Sequence, residues 1–127
     1  MSGRVLIVDD DEHILRALGT SLARAGFQVT SADDAAPAIA MSDTNEFDLL
    51  VVDFHMKTKT GADVVRHYKE RHGRQIYCVV LSGEDDDETR TKCFDAGADE
   101  VLLKPTSPVV LRKRLAEAVR LLREVAA

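Results

Sequence analysis

Short, unbroken apolar runs alternate with stretches whose apolar positions recur at helical spacing, from one end of the chain to the other. Val5–Val8 is the first such run and predicts a buried strand. His13–Ala25 follows with Leu15, Leu18, Leu22 and Ala25 on one helical face, which leaves Ile14 and Ala17 beside His13 on another. Gly26 supplies the stop. Phe27–Thr30 predicts a short second strand. Asp34 can cap a second helix whose first turn tolerates Pro37. Leu49–Val52 is apolar throughout and predicts a third strand covered on both faces. Gly61–His72 reads as a helix marked by Val64, Val65 and Tyr68, and Ile76–Leu81 as a fourth strand. Glu84–Ala96 predicts a helix with acidic residues in its first turn, where the helix dipole favours them, and Gly97 ends it. Val101–Leu103 belongs to a fifth strand. Ser107 caps a last helix that has Pro108 at its first position and runs to about Glu124.

Strands separated by helices, with connections long enough for crossovers, make an α/β fold: a doubly wound parallel sheet with helices on both faces. Such sheets bind ligands beyond the carboxyl ends of their strands, where strand order reverses. The polar residues at those ends are Asp9–Asp11 after the first strand, Asp53 after the third, Ser82 after the fourth and Lys104 after the fifth.

Composition narrows the function without naming it. At 127 residues the chain has the length of one domain, and its 45% apolar and 31% charged residues are globular proportions. A net charge of −5 argues against direct nucleic-acid binding. No apolar run approaches membrane-spanning length, and no charged-then-apolar leader opens the chain. Cys78 and Cys93 lie in an apolar and a helical stretch without metal-binding spacing, as expected of reduced, buried thiols in a cytoplasmic protein.

The carboxylates need an explanation. Asp9, Asp10, Asp11 and Glu12 follow a core strand at once, and like charges so close repel. Each feature alone is bland. An acidic run is ordinarily a solvated loop, an Asp after a strand a cap or turn residue, and a Lys-Pro pair a turn. Together, at the ends of different strands, they fit a site for a hard divalent cation such as Mg²⁺, which takes oxygen ligands and pairs one or two carboxylates with a phosphate. A carboxylate at Asp53 beside that ion can attack a phosphoryl group. Lys104 can neutralise charge on the transferring group, and Ser82 can donate a hydrogen bond to it.

The stretches LIVDDDE, LLVVDFHMKTKTG, VVLSGEDD and AGADEVLLKP together resemble the receiver domain of two-component response regulators over essentially the whole chain, residues 1–127. The resemblance implies a flavodoxin-like sheet of order 2-1-3-4-5. It implies a phosphoryl group accepted on Asp53, with Mg²⁺ held directly by Asp10, mostly through water by Asp9, by Asp53, and by the backbone carbonyl of His55. Ser82 matches the hydroxyl that turns toward the phosphoryl group and Lys104 the lysine that pairs with it. Asp11 would be an extra acid capping the first helix. The implied partners are a sensor histidine kinase or histidine phosphotransfer protein, docking on the Ile14–Ala17 side of the first helix, and a downstream protein target. The protein would be a cytoplasmic monomer, able to dimerise on phosphorylation, and would catalyse only its own phosphorylation and dephosphorylation. No output domain follows, so it would act alone or be a piece of a longer regulator.

This chain departs from the family pattern at several places. Lys57 follows Met56 where a proline is usual, Gly83 follows Ser82, Val101 stands where an aromatic is frequent, and Thr106 follows Pro105. None removes a reacting group. They bear on how phosphorylation would be transmitted. A phosphatase with an aspartyl nucleophile would need an acid two residues on, where His55 stands. A flavin site would need hydroxyls and glycines in place of DDDE. A receiver-like binding module that never takes phosphate is the remaining alternative, although every acceptor, metal and lysine position is filled.

Overall fold

A computed structural model describes residues 3–126. The elements alternate strictly: β1 (Arg4–Val8), α1 (Glu12–Arg24), β2 (Gln28–Ala32), α2 (Ala35–Met41), β3 (Leu49–Asp53), α3 (Gly61–His72), β4 (Tyr77–Ser82), α4 (Asp87–Asp95), β5 (Glu100–Leu103) and α5 (Pro108–Ala126). All strand pairings are parallel, in the order β2-β1-β3-β4-β5. Strand order reverses between β1 and β3, so the residues after these two strands face each other across the crevice that such sheets use for ligands.

The apolar runs are unbroken because the inner strands are covered on both faces. Leu6, Val8, Leu50, Val52, Cys78 and Val80 point into a core closed by α2, α3 and α4 through Ala35, Val64, Val65, Tyr68 and Cys93. Their neighbours Val5, Ile7, Leu49, Val51, Val79 and Leu81 point the other way, onto Leu18 and Leu22 of α1 and Leu111, Leu115 and Val119 of α5. The strand period of two thus sorts one apolar run between two cores. Cys78 and Cys93 are free and buried. Burial pushes the Cys78 thiol up to about 12.

Several boundaries differ from the sequence expectation. β2 starts one residue later and runs to Ala32, while Phe27 is buried in the preceding turn. β4 begins at Tyr77 and takes in Ser82, β5 begins at Glu100, and α5 continues to Ala126. α4 begins at Asp87 rather than Glu84, because Asp86 caps it: its Oδ1 accepts from Thr89 N at 2.6 Å. Glu84 and Asp85 therefore lie in a loop. Ile14 packs beside Leu15 against the α1–α5 core, while Ala17 is exposed. Ile14 stands one turn before Leu18, so the i, i+4 stripe takes it to the core side.

Candidate functional site

Every expected site residue lies at the carboxyl edge of the sheet. Asp9 is the first residue past β1, Asp53 the last of β3, Ser82 the last of β4, and Lys104 the first past β5. Main-chain bonds extend the ladders over them: Asp9 N donates to Ala32 O at 3.2 Å, Phe54 N to Leu81 O at 2.9 Å, and Lys104 N to Ser82 O at 2.7 Å. The site is therefore carried on backbone that the sheet fixes.

Asp9 and Asp53 are nearly enclosed, at 2% and 7% exposure. The Lys104 ammonium sits 2.7 Å from Asp53 Oδ1 and 3.4 Å from Asp9 Oδ2. Asp9 Oδ1 accepts from Asp11 N at 2.9 Å. One lysine thus serves two buried carboxylates, with exposed Asp10 adding a third charge nearby. The Asp9 carboxyl is raised above its ordinary range, chiefly by burial and also by Asp53. The Asp11 amide and Lys104 pull the other way without prevailing. Burial opposes the charge of Lys104, but its contacts with Asp53 and Asp9 outweigh this, and its pKa is raised.

One carboxylate oxygen from each of Asp9, Asp10 and Asp53 lies within 4.8 Å of the others. An all-carboxylate donor set with unbalanced negative charge fits a hard divalent cation. Asp11 stays outside this trio. It is exposed, and its Oδ1 accepts from His13 N and Ile14 N at 2.8 and 3.4 Å to start α1. Glu12 is the first residue of that helix.

The loop after Asp53 folds back on the strand. Gly61 N donates to Phe54 O at 2.7 Å, and a Cβ at residue 61 would stand 2.5 Å from the Asp53 carbonyl oxygen. Only glycine permits that approach, which seats the start of α3 against the end of β3. Thr60 and Asp63 close the turn as a capping box. His55, in this loop, turns its imidazole outward to Glu84, with Nε2 2.8 Å from Oε1. The Ser82 hydroxyl is held by the Glu84 backbone, with both Glu84 O and Glu84 N at 3.1 Å. Glu84 is the site neighbour that sequence reasoning missed, having been read as the acidic start of the fourth helix. The available signal was spacing, since it stands two residues past Ser82 as His55 stands two past Asp53.

The response regulator receiver domain family model matches residues 5–116. The chain belongs to that family. Members work in two-component systems, between histidine kinases and downstream effectors. Among curated relatives, the transcriptional regulatory protein PrrA of Mycobacterium tuberculosis is 36% identical over 96% of this chain and 51% of its own length. The regulatory protein VanRB of Enterococcus faecalis is 29% identical over 94% of this chain and 54% of its own. A cyclic di-GMP phosphodiesterase of Thermotoga maritima is 34% identical over 91% of this receiver, which matches 31% of that protein. The receiver thus spans about half or less of these relatives. A CheY-like receiver domain from Methanospirillum hungatei superposes with a TM-score of 0.92 at 24% identity, covering 98% of both chains. The CheY4 chemotaxis response regulator of Vibrio cholerae gives 0.84 at 28% identity, covering 93% of this chain and 99% of that one. The fold is the CheY-like, flavodoxin-type sheet that the resemblance implied. No helix of the described residues is long and apolar enough to cross a membrane.

Proposed function

We propose that this receiver is a phosphorylatable switch with Asp53 as its acceptor. The observation that carries the reading is the ammonium of Lys104, 2.7 Å from a buried Asp53 carboxylate that shares a cation-competent cluster with Asp9 and Asp10. An Asp53 carboxylate oxygen attacks the donor phosphorus. The new O–P bond makes an acyl phosphate as the bond from phosphorus to the donor breaks, and the donor leaves with that electron pair. Lys104 holds the carboxylate in place beforehand and pairs with phosphoryl oxygen afterwards. The Ser82 hydroxyl donates to a second oxygen. Asp10, Asp53, the His55 carbonyl and, through water, Asp9 would hold Mg²⁺, which would supply further charge cancellation on the phosphoryl group.

The donor in the cell is a sensor histidine kinase or a histidine phosphotransfer protein. The reader is a protein target, with no direct nucleic-acid contact by this domain. The resting form is a cytoplasmic monomer that can pair when phosphorylated. It acts alone or as the receiver of a longer regulator, as the lengths of its relatives allow. A small acyl phosphate with Mg²⁺ should add one phosphoryl group, seen by intact mass. Asp53→Asn should take none, and full labelling of that variant would reject the assignment.

A further inference from the structure

Glu84 gathers contacts from three parts of the site edge. Its backbone occupies the Ser82 hydroxyl at 3.1 Å through both its carbonyl and its amide. Its Oε1 meets His55 Nε2 at 2.8 Å, on the loop that follows Asp53. Its Oε2 lies 3.5 Å from the Thr89 hydroxyl, in the first turn of α4, at the limit of a hydrogen bond. Ser82 and Thr89 are buried, whereas the His55 and Glu84 side chains are 61% and 52% exposed. A Cβ added at Gly83 would meet nothing within 4 Å, so the chain between Ser82 and Glu84 has room to move.

A serine hydroxyl has one proton to donate. While Ser82 gives it to Glu84 O, none is left for a phosphoryl oxygen on Asp53. Turning toward Asp53 therefore releases the Glu84 backbone, and what then keeps the loop at rest is the Glu84 side chain. Val101, half-buried against the α2–α4 core, has no ring with which to answer that movement.

We propose that Glu84 is a positioning residue, a latch that holds the loop between β4 and α4 in its resting arrangement by bridging His55 and Thr89. The proposal rests on the reading of Asp53 as the phosphoacceptor and deepens it. An exposed pair of this kind biases an equilibrium by roughly two- to fivefold. Weakening the resting arrangement favours the phosphorylated one by the same factor.

The test is amide hydrogen exchange in the resting protein, read as protection factors over Asp86–Arg90, together with the rate of labelling by a small acyl phosphate. Glu84→Ala should lower protection by roughly two- to fivefold and raise the labelling rate by a similar factor. His55→Ala, which removes the imidazole and keeps the main-chain carbonyl, should lower protection alike. The double variant should be no looser than Glu84→Ala alone, because that substitution already removes the contact with His55. Glu84→Gln keeps a hydrogen-bonding oxygen toward His55 and should restore protection. Unchanged protection in Glu84→Ala, or independent, additive effects of the two substitutions, would overturn the latch. The exchange arm needs no phosphoryl group. A wild-type protein that takes no label therefore counts against the acceptor reading alone, and the exchange result still decides the latch.

Discussion

Gly61 should be the least replaceable small residue near the site. An alanine there would put its Cβ 2.5 Å from the Asp53 carbonyl oxygen and 3.1 Å from both the Asp53 carbonyl carbon and Phe54 Cα. Carbon–oxygen contacts of this type sit at about 3.3–3.6 Å, so the new methyl is roughly 0.8 Å too close. All three neighbours are backbone. β3 is paired on both sides, with β1 and β4, and cannot withdraw. The start of α3 must move instead, stretching the 2.7 Å bond from Gly61 N to Phe54 O. Overpacking costs about 1–3 kcal/mol, and the weakened hydrogen bond adds up to about 1. The stiffer unfolded chain of the alanine variant returns about 0.4–1 kcal/mol. Gly61→Ala should therefore lose about 1–3 kcal/mol, read as a lower urea midpoint with unchanged slope. It should also slow labelling of Asp53, whose carbonyl takes the collision. Gly83→Ala is the matched control. With open space around it and no positive φ, it should be neutral or stabilising by up to about 1 kcal/mol. A Gly61→Ala protein as stable and as quickly labelled as wild type would refute the argument that this close approach seats the acceptor.

Other expectations follow from the charges and from burial. Because the Asp9 pKa is raised in the folded protein, its contribution to stability is full below the unfolded pKa and is lost as pH rises through the folded one. Asp9→Asn, which keeps an acceptor for the Asp11 amide, should thus match or exceed wild-type melting temperature at neutral pH without Mg²⁺, and lose the advantage in acid. A wild-type protein clearly more stable at neutral pH would contradict this. Lys104→Ala leaves two buried carboxylates without their cation and should cost about 1–3 kcal/mol, discounted for the partial exposure of the lysine. Mg²⁺ should recover part of that loss by binding only the folded form, which thermal melts with and without the ion would show. Cys78, its thiol held at about 12, should resist iodoacetamide in native buffer and react in urea; fast native alkylation would mean that β4 opens readily.

The fold was legible because both faces of the inner strands are buried. Val5–Val8 and Leu49–Val52 could be read as strands without knowing their partners, and turn glycines such as Gly26 and Gly97 marked the helix ends. The site residues were legible because each stands at a strand end, and a crossover fold gathers strand ends at one edge. What escaped were choices made by single side chains. α4 starts later than the expected Glu84 because Asp86 caps it by reaching Thr89 N, and a run of five acidic residues does not reveal which of them will do so. Ile14 was set apart by one spacing rule and brought to the core by another. The His55–Glu84 contact joins residues 29 positions apart in two loops, where no hydrophobic period exists to be read.

The bond from Lys104 N to Ser82 O also bears on how such a domain can be rebuilt. It pins the residues that would answer charge at Asp53 to each other through the main chain, and Phe54 N to Leu81 O does the same for the acceptor strand. Main-chain links make no demand on side-chain identity. The exposed stretch Lys57–Lys59, beside them, is therefore free to drift or be exchanged while the chemistry keeps its coordinates. Grafting this stretch from another receiver should re-address the signal without retuning the reaction. A scaffold of this kind lets one reactive site acquire many listeners.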